Sequence, residues 1–164
     1  MEILDRLQIE QKIERLAYQI YENNYDTKSL VFAGINNNGL AFAKKLQSAY
    51  DRIAENPSEL ANIKLNPASP LESDVEIDTD LKSLNKKSII IVDDVANTGR
   101  TIFYATKPIM EYLPKKIEAA VLVDRKHKMF PIKVDYVGLS LATTLKENIS
   151  VDLKNARKMS VSLD

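Results

Sequence analysis

The chain has 164 residues, 45% hydrophobic and 28% charged, a composition typical of one globular domain of ordinary size. Basic and acidic residues number 23 each, so the zero net charge argues against a general nucleic-acid-binding surface, and the lack of cysteine excludes disulfides and thiolate metal sites. No apolar run approaches the roughly 20 residues that cross a bilayer, and the first residues lack the pattern of a secretory signal. A cytoplasmic protein is therefore expected.

The first third of the chain predicts a helix, a strand and a second helix. Apolar residues recur with a period of 3.6, which predicts an amphipathic helix over about residues 4–23. Residues 30–34 form a short apolar run typical of a strand. A turn is predicted at residues 36–39, because asparagine and glycine tolerate positive φ. Residues 40–50 then carry apolar side chains on one helical face, which completes a strand–loop–helix unit.

The middle of the chain is less regular. Short strands are predicted near residues 63–65 and 75–77, with an irregular polar segment between them, and a hood or flap is expected from about residue 60 to 85. Residues 89–92 predict a central strand that is buried on both faces. Residues 101–113 look helical, but Pro108 predicts a kink or an early stop.

The last third predicts two more apolar strands, at residues 119–123 and 134–137. Residues 149–153 and 159–163 alternate between apolar and polar side chains, which favours a C-terminal hairpin. Strands that alternate with helices predict an α/β fold with a mostly parallel central sheet flanked by helices. One domain is expected over residues 1–164.

Residues 89–101, IIIVDDVANTGRT, join a buried strand to two adjacent carboxylates and a polar loop. Ligands of open parallel sheets bind beyond the carboxyl ends of the strands, where Asp93 and Asp94 are expected. Ionised carboxylates only accept hydrogen bonds, so the cis-diol of a ribose would satisfy them. The loop offers threonine hydroxyls, a glycine for close approach and free N–H groups at a helix start, which suit a phosphate. The stretch therefore predicts a ribose-phosphate site, and a plain solvated turn is the alternative.

The same stretch resembles the phosphoribosyl-pyrophosphate signature of the type I phosphoribosyltransferases. Residues 2–24, 30–46 and 121–138 resemble the opening helix, the pyrophosphate-loop region and a later region of the bifunctional pyrimidine-operon attenuator/uracil phosphoribosyltransferase family. The resemblance covers most of the chain apart from residues 54–85. It implies the type I phosphoribosyltransferase fold with a small hood. It also implies transfer of a phosphoribosyl group from phosphoribosyl pyrophosphate to a nucleobase such as uracil, with release of pyrophosphate and assistance from Mg²⁺.

The resemblance also implies roles for individual residues. The catalytic set would be Asp93, Asp94, Asp124 and Arg125, with the first two on the ribose hydroxyls and Asp124 near the magnesium–pyrophosphate. The 5′-phosphate would bind to Ala96, Asn97, Thr98, Gly99, Arg100 and Thr101. The pyrophosphate loop would be Ile35, Asn36, Asn37, Asn38 and Gly39. The base would be bordered by Tyr136, Val137 and Gly138.

Two departures from the family pattern bear on activity. Asn37 and Asn38 stand where the family usually has Thr-Arg, so a bidentate cationic donor for pyrophosphate is lost. Residues 66–80 contain no Arg or Lys, although the family usually carries an Arg in its flap. Two such losses would cost on the order of several kcal/mol of transition-state stabilisation. A weak or inactive sensor of nucleotides or phosphoribosyl pyrophosphate is therefore the alternative function.

Asn97 bears on the choice of nucleobase, and the basic residues bear on whether RNA is a partner. Purine-using relatives often have Asp at the position of Asn97, and an amide cannot act as a general base, which favours a pyrimidine over a purine. The single histidine, His127, matches a family histidine, but one histidine does not make a zinc site. Basic clusters near residues 115–116, 125–128 and 154–158 leave RNA binding as an alternative, although they are typical of solvated surface. Relatives commonly pair, so a homodimer or higher homo-oligomer is expected.

Overall fold

The computed structural model describes residues 1–144 and 146–164 and contains nine strands, three α-helices and two 3₁₀ turns within them. The strands are β1 (Glu2–Leu4), β2 (Leu30–Ile35), β3 (Glu59–Lys64), β4 (Glu76–Ile77), β5 (Ser88–Ala96), β6 (Lys116–Arg125), β7 (Tyr136–Leu141), β8 (Ile149–Asp152) and β9 (Ser160–Leu163). The helices are α1 (Arg6–Asn24), α2 (Asn36–Asp51) and α3 (Arg100–Ala105), and the 3₁₀ turns are Leu81–Leu84 and Lys107–Ile109.

The central sheet has six strands in the order β4-β3-β2-β5-β6-β7. Strands β3, β2, β5, β6 and β7 are parallel, and only the two-residue edge strand β4 is antiparallel. The predicted α/β fold with a mostly parallel sheet is confirmed. Because the strands are parallel, the carboxyl ends of β2, β5 and β6 meet at one edge of the sheet.

Strand β5 is buried on both faces, as its unbroken apolar run predicts. Ile90 and Val92 pack into the core beneath α1 and α2, whereas Ile89 and Ile91 pack into the core on the face that carries α3. The central strand is therefore covered by helices on both sides, and its carboxyl end is the part that reaches solvent.

The helix boundaries follow local capping. Helix α1 begins at Arg6 because Asp5 forms a capping box with Gln8, in which each side chain accepts the backbone N–H of the other at 2.9 Å. Helix α3 ends at Ala105, and Pro108 lies in the 3₁₀ turn that follows, so the predicted early stop is confirmed. No helix among the described residues is long and apolar enough to span a membrane.

Three predicted boundaries were wrong. The turn expected at residues 36–39 is the first turn of α2, and of its residues only Asn36 has a positive φ, 52°. The strand expected at residues 89–92 continues to Ala96, so Asp93 and Asp94 lie inside β5 rather than after it. The strand expected at residues 134–137 is β7, which begins at Tyr136 and runs to Leu141.

The C-terminal hairpin is confirmed, and the amino-terminal strand extends it. Strands β8 and β9 pair antiparallel, and β1 pairs with β9 to give a second sheet in the order β1-β9-β8. The hood expected at residues 60–85 overlaps β3, which is a strand of the central sheet. A flap role for the rest of that segment, and the assignment of the whole chain to one domain, stay predictions.

Candidate ribose-phosphate site

The two adjacent carboxylates of β5 differ in their environment. Asp93 is only 8% exposed, whereas Asp94 is half-buried. One carboxylate oxygen of Asp93 accepts the backbone N–H of Asp94, and one of Asp94 accepts that of Val95, both at 2.9 Å. Burial, and then the neighbouring charge of Asp94, raise the pKa of Asp93 well above its usual range. Each side chain of the pair is thus held by a backbone hydrogen bond, and the ionisation of Asp93 is unfavourable.

The loop after β5 is short because Ala96 ends the strand and Arg100 already starts α3. Gly99 is the N-cap of α3 with φ 86°, a left-handed conformation that side chains disfavour. A Cβ atom there would also lie 2.5 Å from Cγ1 of Ile132. The backbone carbonyl of Thr98 accepts the N–H groups of Met129 and Phe130 at 2.9 and 3.2 Å, which fixes the loop against the segment after β6.

Two neighbouring cavities surround this loop. The larger is about 590 Å³. It is lined by Pro67, Asp93, Val95, Ala96, Asn97, Thr98, Gly99, Arg100, Thr101, Ile102, Met129 and Phe130. The smaller is about 390 Å³ and is lined by Ile35, Asn36, Asn37, Asn38, Pro67, Asp93, Asp94 and Thr101. Because Pro67, Asp93 and Thr101 line both cavities, one elongated ligand can occupy the two together.

The structure thus brings together most of the predicted residues. All six residues predicted for the 5′-phosphate line the larger cavity, and four of the five predicted for the pyrophosphate loop line the smaller one. Gly39, the fifth, packs on β5, where an added Cβ would lie 2.6 Å from the carbonyl oxygen of Val92. The side-chain amide of Asn38 donates to the carboxylate of Asp94 at 3.1 Å, so the loop also contacts the acidic pair directly.

The end of β6 carries Asp124 and Arg125, which are both half-buried and both engaged by neighbours. Nζ of Lys128 lies 2.6 Å from a carboxylate oxygen of Asp124 and also donates to the carbonyl of Asn97 at 3.0 Å. The guanidinium of Arg125 donates to the Thr143 hydroxyl at 2.7 Å and to the side-chain oxygen of Asn97 at 3.3 Å. These contacts tie the loop of residues 97–99, called the phosphate loop below after its predicted role, to the segment after β7. They do not bring Asp124 or Arg125 to the lining of either cavity.

The three residues predicted to border the base lie elsewhere. Tyr136 is 1% exposed, and its hydroxyl donates to the Glu118 carboxylate at 2.9 Å, with the amide of Asn24 3.4 Å away. Burial is the main cause that raises the pKa of the Tyr136 hydroxyl. The carbonyls of Val137 and Gly138 accept the guanidinium of Arg15 at 2.8 and 2.9 Å. None of the three lines the two cavities, and their role beside the base stays a prediction.

Other residues at the site had no signal in the sequence. Met129 and Phe130 line the larger cavity because the segment after β6 folds back over the phosphate loop. Pro67 lines both cavities, and its carbonyl accepts the guanidinium of Arg100 at 2.6 Å. A third cavity of about 210 Å³ joins the pyrophosphate loop to the C-terminal hairpin. Val151, Leu153 and Lys154 line it, which makes the hairpin a neighbour of the site.

A metal site made by the protein alone is not formed within the described residues, since no three His, Cys, Asp or Glu side chains converge. The two carboxylates of Asp93 and Asp94 and the backbone around them do offer oxygen ligands. Mg²⁺ commonly binds through one or two carboxylates together with substrate phosphates. The donor set therefore fits a magnesium ion that arrives with a polyphosphate. Asp124 is paired with Lys128 and lines neither cavity, so its role near the metal stays a prediction.

The fold is an open α/β sheet whose polar side chains gather at the carboxyl edge, which is where such sheets bind their ligands. The profile of the family described as "Phosphoribosyl transferase domain" matches residues 1–155. The chain belongs to this family, within its type I branch.

Two similar proteins show which members of this family the chain resembles. The chain is 33% identical to the Bifunctional protein PyrR of Bacillus pumilus (strain SAFR-032), over 92% of the chain and 89% of that protein. It is 37% identical to the protein of the same name from Streptococcus pneumoniae (strain CGSP14), over 93% of the chain and 89% of that protein. The chain is therefore a type I phosphoribosyltransferase-family protein that is similar to PyrR.

Solved structures show the same fold at lower identity. The hypoxanthine phosphoribosyltransferase of Trypanosoma cruzi superposes with a TM-score of 0.78 at 18% identity, over 98% of this chain and 95% of that one. A hypoxanthine-guanine phosphoribosyltransferase from Bacillus anthracis gives 0.77 at 20% identity, over 99% and 96%. These likenesses bear on the fold alone, which agrees with the predicted fold class.

Proposed function

We propose that this protein transfers a phosphoribosyl group from phosphoribosyl pyrophosphate to a nucleobase nitrogen and releases pyrophosphate. The observation that carries the proposal is the pair of adjoining cavities that share Asp93 and Thr101. One cavity suits a ribose 5-phosphate and the other a pyrophosphate, in the order in which the two groups are joined in the substrate.

Each part of the site has a chemical task in this proposal. Asp93 and Asp94 accept hydrogen bonds from the ribose hydroxyls, and the N–H groups and hydroxyls of residues 97–101 hold the 5′-phosphate. The first turn of α2 offers N–H groups and the positive end of the helix dipole to the pyrophosphate. The transition state carries oxocarbenium character and a departing polyanion, so catalysis rests on positioning and on charge neutralisation. Magnesium bound to the pyrophosphate would supply part of that positive charge.

The base is proposed to be a pyrimidine, uracil in particular. The support is the resemblance to the uracil-using family together with Asn97, whose amide cannot serve as the general base that a purine-specific Asp provides. The side-chain oxygen of Asn97 accepts from Arg125, which leaves its NH₂ group as the part of the amide directed to other partners. A donor there can bind a carbonyl oxygen, which uracil and the 6-oxopurines both carry, so the preference for uracil rests on the family resemblance and on the missing general base.

The proposal is tested by incubation with phosphoribosyl pyrophosphate, magnesium and a panel of bases, with pyrophosphate release as the readout. Release that requires uracil would support the full proposal. Release with hypoxanthine or guanine instead would support the transferase reaction and overturn the pyrimidine assignment. The Asp93→Asn/Asp94→Asn variant is the matched control, because it keeps side-chain volume while it removes both charges.

A second candidate function, a ligand sensor without turnover, is favoured by one specific observation. The position at which the family usually has an arginine is Asn38, whose neutral amide donates to the Asp94 carboxylate and brings no positive charge to the smaller cavity. Residues 66–80 add no lysine or arginine to the smaller cavity. Measurable binding of phosphoribosyl pyrophosphate together with no pyrophosphate release from any base would favour the sensor.

A further inference from the structure

Asn62, on β3, is a buried polar side chain outside the predicted site. It is 8% exposed and lies beside Gly34 of the neighbouring parallel strand β2. Its side-chain NH₂ group donates to the carbonyl of Gly34 at 2.9 Å and to the carbonyl of Asn36 at 3.0 Å. Both hydrogens of one amide are thus used on the backbone that leads into the pyrophosphate loop.

The backbone of Asn62 is itself fixed from the other side. Its N–H donates to the Asp78 carboxylate at 2.6 Å, and its carbonyl accepts the N–H of Asp78 at 3.2 Å. The side-chain amide of Asn62 therefore extends from backbone that is fixed in the sheet. Its two hydrogen bonds in turn fix the carbonyls of Gly34 and Asn36.

Asn36 needs such support. Its φ of 52° is a left-handed conformation, which costs a residue with a side chain energy even though asparagine tolerates it better than most. Its side-chain oxygen accepts the N–H of Leu65 at 3.0 Å, so both its carbonyl and its side chain are held by β3 or the residue after it. Asn36 and Asn37 line the smaller cavity on one side and a separate cavity of about 510 Å³ on the other. With open space on both sides, the loop depends on these hydrogen bonds for its place.

We propose that Asn62 is a positioning residue for pyrophosphate binding: its amide fixes the carbonyls of Gly34 and Asn36 and so aims the first turn of α2 at the carboxylates of Asp93 and Asp94. This inference rests on the proposed function, since it concerns the same ligand. Only an NH₂ group performs this task, because a carboxylate of the same size has no hydrogen for either carbonyl.

The test uses two ligands that differ only in the pyrophosphate. In the proposed function, phosphoribosyl pyrophosphate would contact both cavities, whereas ribose 5-phosphate would contact only the loop of residues 97–101 and the carboxylates. In the near-isosteric Asn62→Asp variant, the Kd of phosphoribosyl pyrophosphate should rise at least tenfold while that of ribose 5-phosphate stays within twofold of wild type, as measured by titration calorimetry. Asn62→Ala, which removes the donors without adding a charge, should show the same split if Asn62→Asp fails to fold.

Asn85→Asp is the matched control. Asn85 is exposed before β5, and its side-chain oxygen only accepts a hydrogen bond, from Leu113 N–H at 2.8 Å, which an aspartate retains. Both Kd values should stay within twofold of wild type in this variant. An equal loss of affinity for both ligands in the Asn62 variants would indicate general destabilisation and would overturn the positioning role. Unchanged affinity for phosphoribosyl pyrophosphate would also overturn it.

Amide hydrogen exchange gives a second readout. Asn62→Ala should speed exchange at residues 36–39 while exchange in β5 and β6 stays unchanged, and a uniform increase throughout the sheet would overturn the inference. A wild-type protein that binds neither ligand would instead overturn the proposed function, and the inference with it.

Discussion

The buried carboxylate of Asp93 accepts the backbone N–H of Asp94 at 2.9 Å, while the side chain of Asp94 lies nearer to solvent and accepts the amide of Asn38. No ion pair joins either carboxylate to a cation in the part of the chain that the structure describes. Burial raises the pKa of Asp93, and the charge of Asp94 raises it further. The fold therefore holds a buried carboxyl group, that of Asp93, whose ionisation is unfavourable until a ligand donates hydrogen bonds to it.

Asp93→Asn should stabilise the protein and weaken its ligand binding together. The amide keeps the volume and the oxygen that accepts Asp94 N–H, and it removes a buried charge. We expect the free energy of unfolding in urea at pH 7 to rise by about 0.5–2 kcal/mol, the usual gain for such stabilising changes. The affinity for ribose 5-phosphate should fall at least tenfold. Lower stability with unchanged binding would contradict the assignment of Asp93 to the ribose.

The stability gain should depend on pH. A carboxyl group whose pKa is raised on folding favours the folded state at pH values below its unfolded pKa of about 3.9, and this contribution is lost as pH rises through the folded pKa. Wild type and Asp93→Asn should therefore have similar unfolding free energies near pH 4, with the advantage of the variant growing toward pH 8. A constant difference over that range would show that Asp93 titrates normally.

Gly99→Ala should destabilise the phosphate loop. The alanine would have to adopt φ 86°, and its Cβ would meet Ile132 Cγ1 at 2.5 Å. We expect a loss of about 1–3 kcal/mol of unfolding free energy, with ribose 5-phosphate binding lost as well. Thermal unfolding and calorimetric titration measure the two effects.

The double variant Gly99→Ala/Ile132→Ala separates the two causes, since it removes the clash and leaves the backbone strain. The loss of unfolding free energy in the double variant should be smaller than the sum of the losses in Gly99→Ala and Ile132→Ala. The single variant Ile132→Ala measures the part of the loss that comes from the missing isoleucine side chain. Strict additivity would show that the alanine does not contact Ile132.

The fold was largely predictable because its signals are local. The apolar run of β5 is long, and its successive side chains point to opposite faces of the sheet, so the sequence alone predicts that they enter two cores. The end of α3 followed from Pro108 alone. The start of α2 was missed because asparagines favour turns in isolation, and here Asn36 reaches its left-handed conformation with hydrogen bonds from β3, far away in the chain. The strand β1 was missed because its partner β9 lies at the other end of the chain.

The site was predictable where it is one continuous segment. Residues 93–101 carry their chemistry in sequence order, and all of them except Asp94 line the larger cavity, while Asp94 lines the smaller one. Pro67 and Phe130 could not be found in this way, since only folding brings them to the loop. Tyr136 was assigned to the base by resemblance, yet its hydroxyl lies near Glu118, toward the amino end of the strands. Resemblance alone gave Tyr136 its role at the base, and that role stays a prediction.

Lys128 and Asp124 should be energetically coupled. Nζ of Lys128 joins Asp124 to the carbonyl of Asn97, and both side chains of the ion pair are mostly buried. In a double-mutant cycle with Lys128→Met and Asp124→Asn, we expect a coupling free energy of about 1–2 kcal/mol, above the usual value for exposed pairs. Chemical unfolding of the four proteins measures it. A coupling near zero would mean that Lys128 acts on the loop through the carbonyl of Asn97 alone.

Asn38→Arg should restore transition-state stabilisation if the protein is a transferase. Asn38 is exposed in the first turn of α2 and faces the smaller cavity, so an arginine there needs no repacking and brings a bidentate cation to the departing pyrophosphate. We expect kcat/KM for phosphoribosyl pyrophosphate to rise at least tenfold, about 1.4 kcal/mol, chiefly through kcat because the charge on pyrophosphate grows as it leaves. Gln19→Arg, which adds the same charge at an exposed position of α1, should leave kcat/KM unchanged. A lower Kd for phosphoribosyl pyrophosphate without any turnover would instead favour the sensor, since the cation would then strengthen binding in a site that performs no transfer.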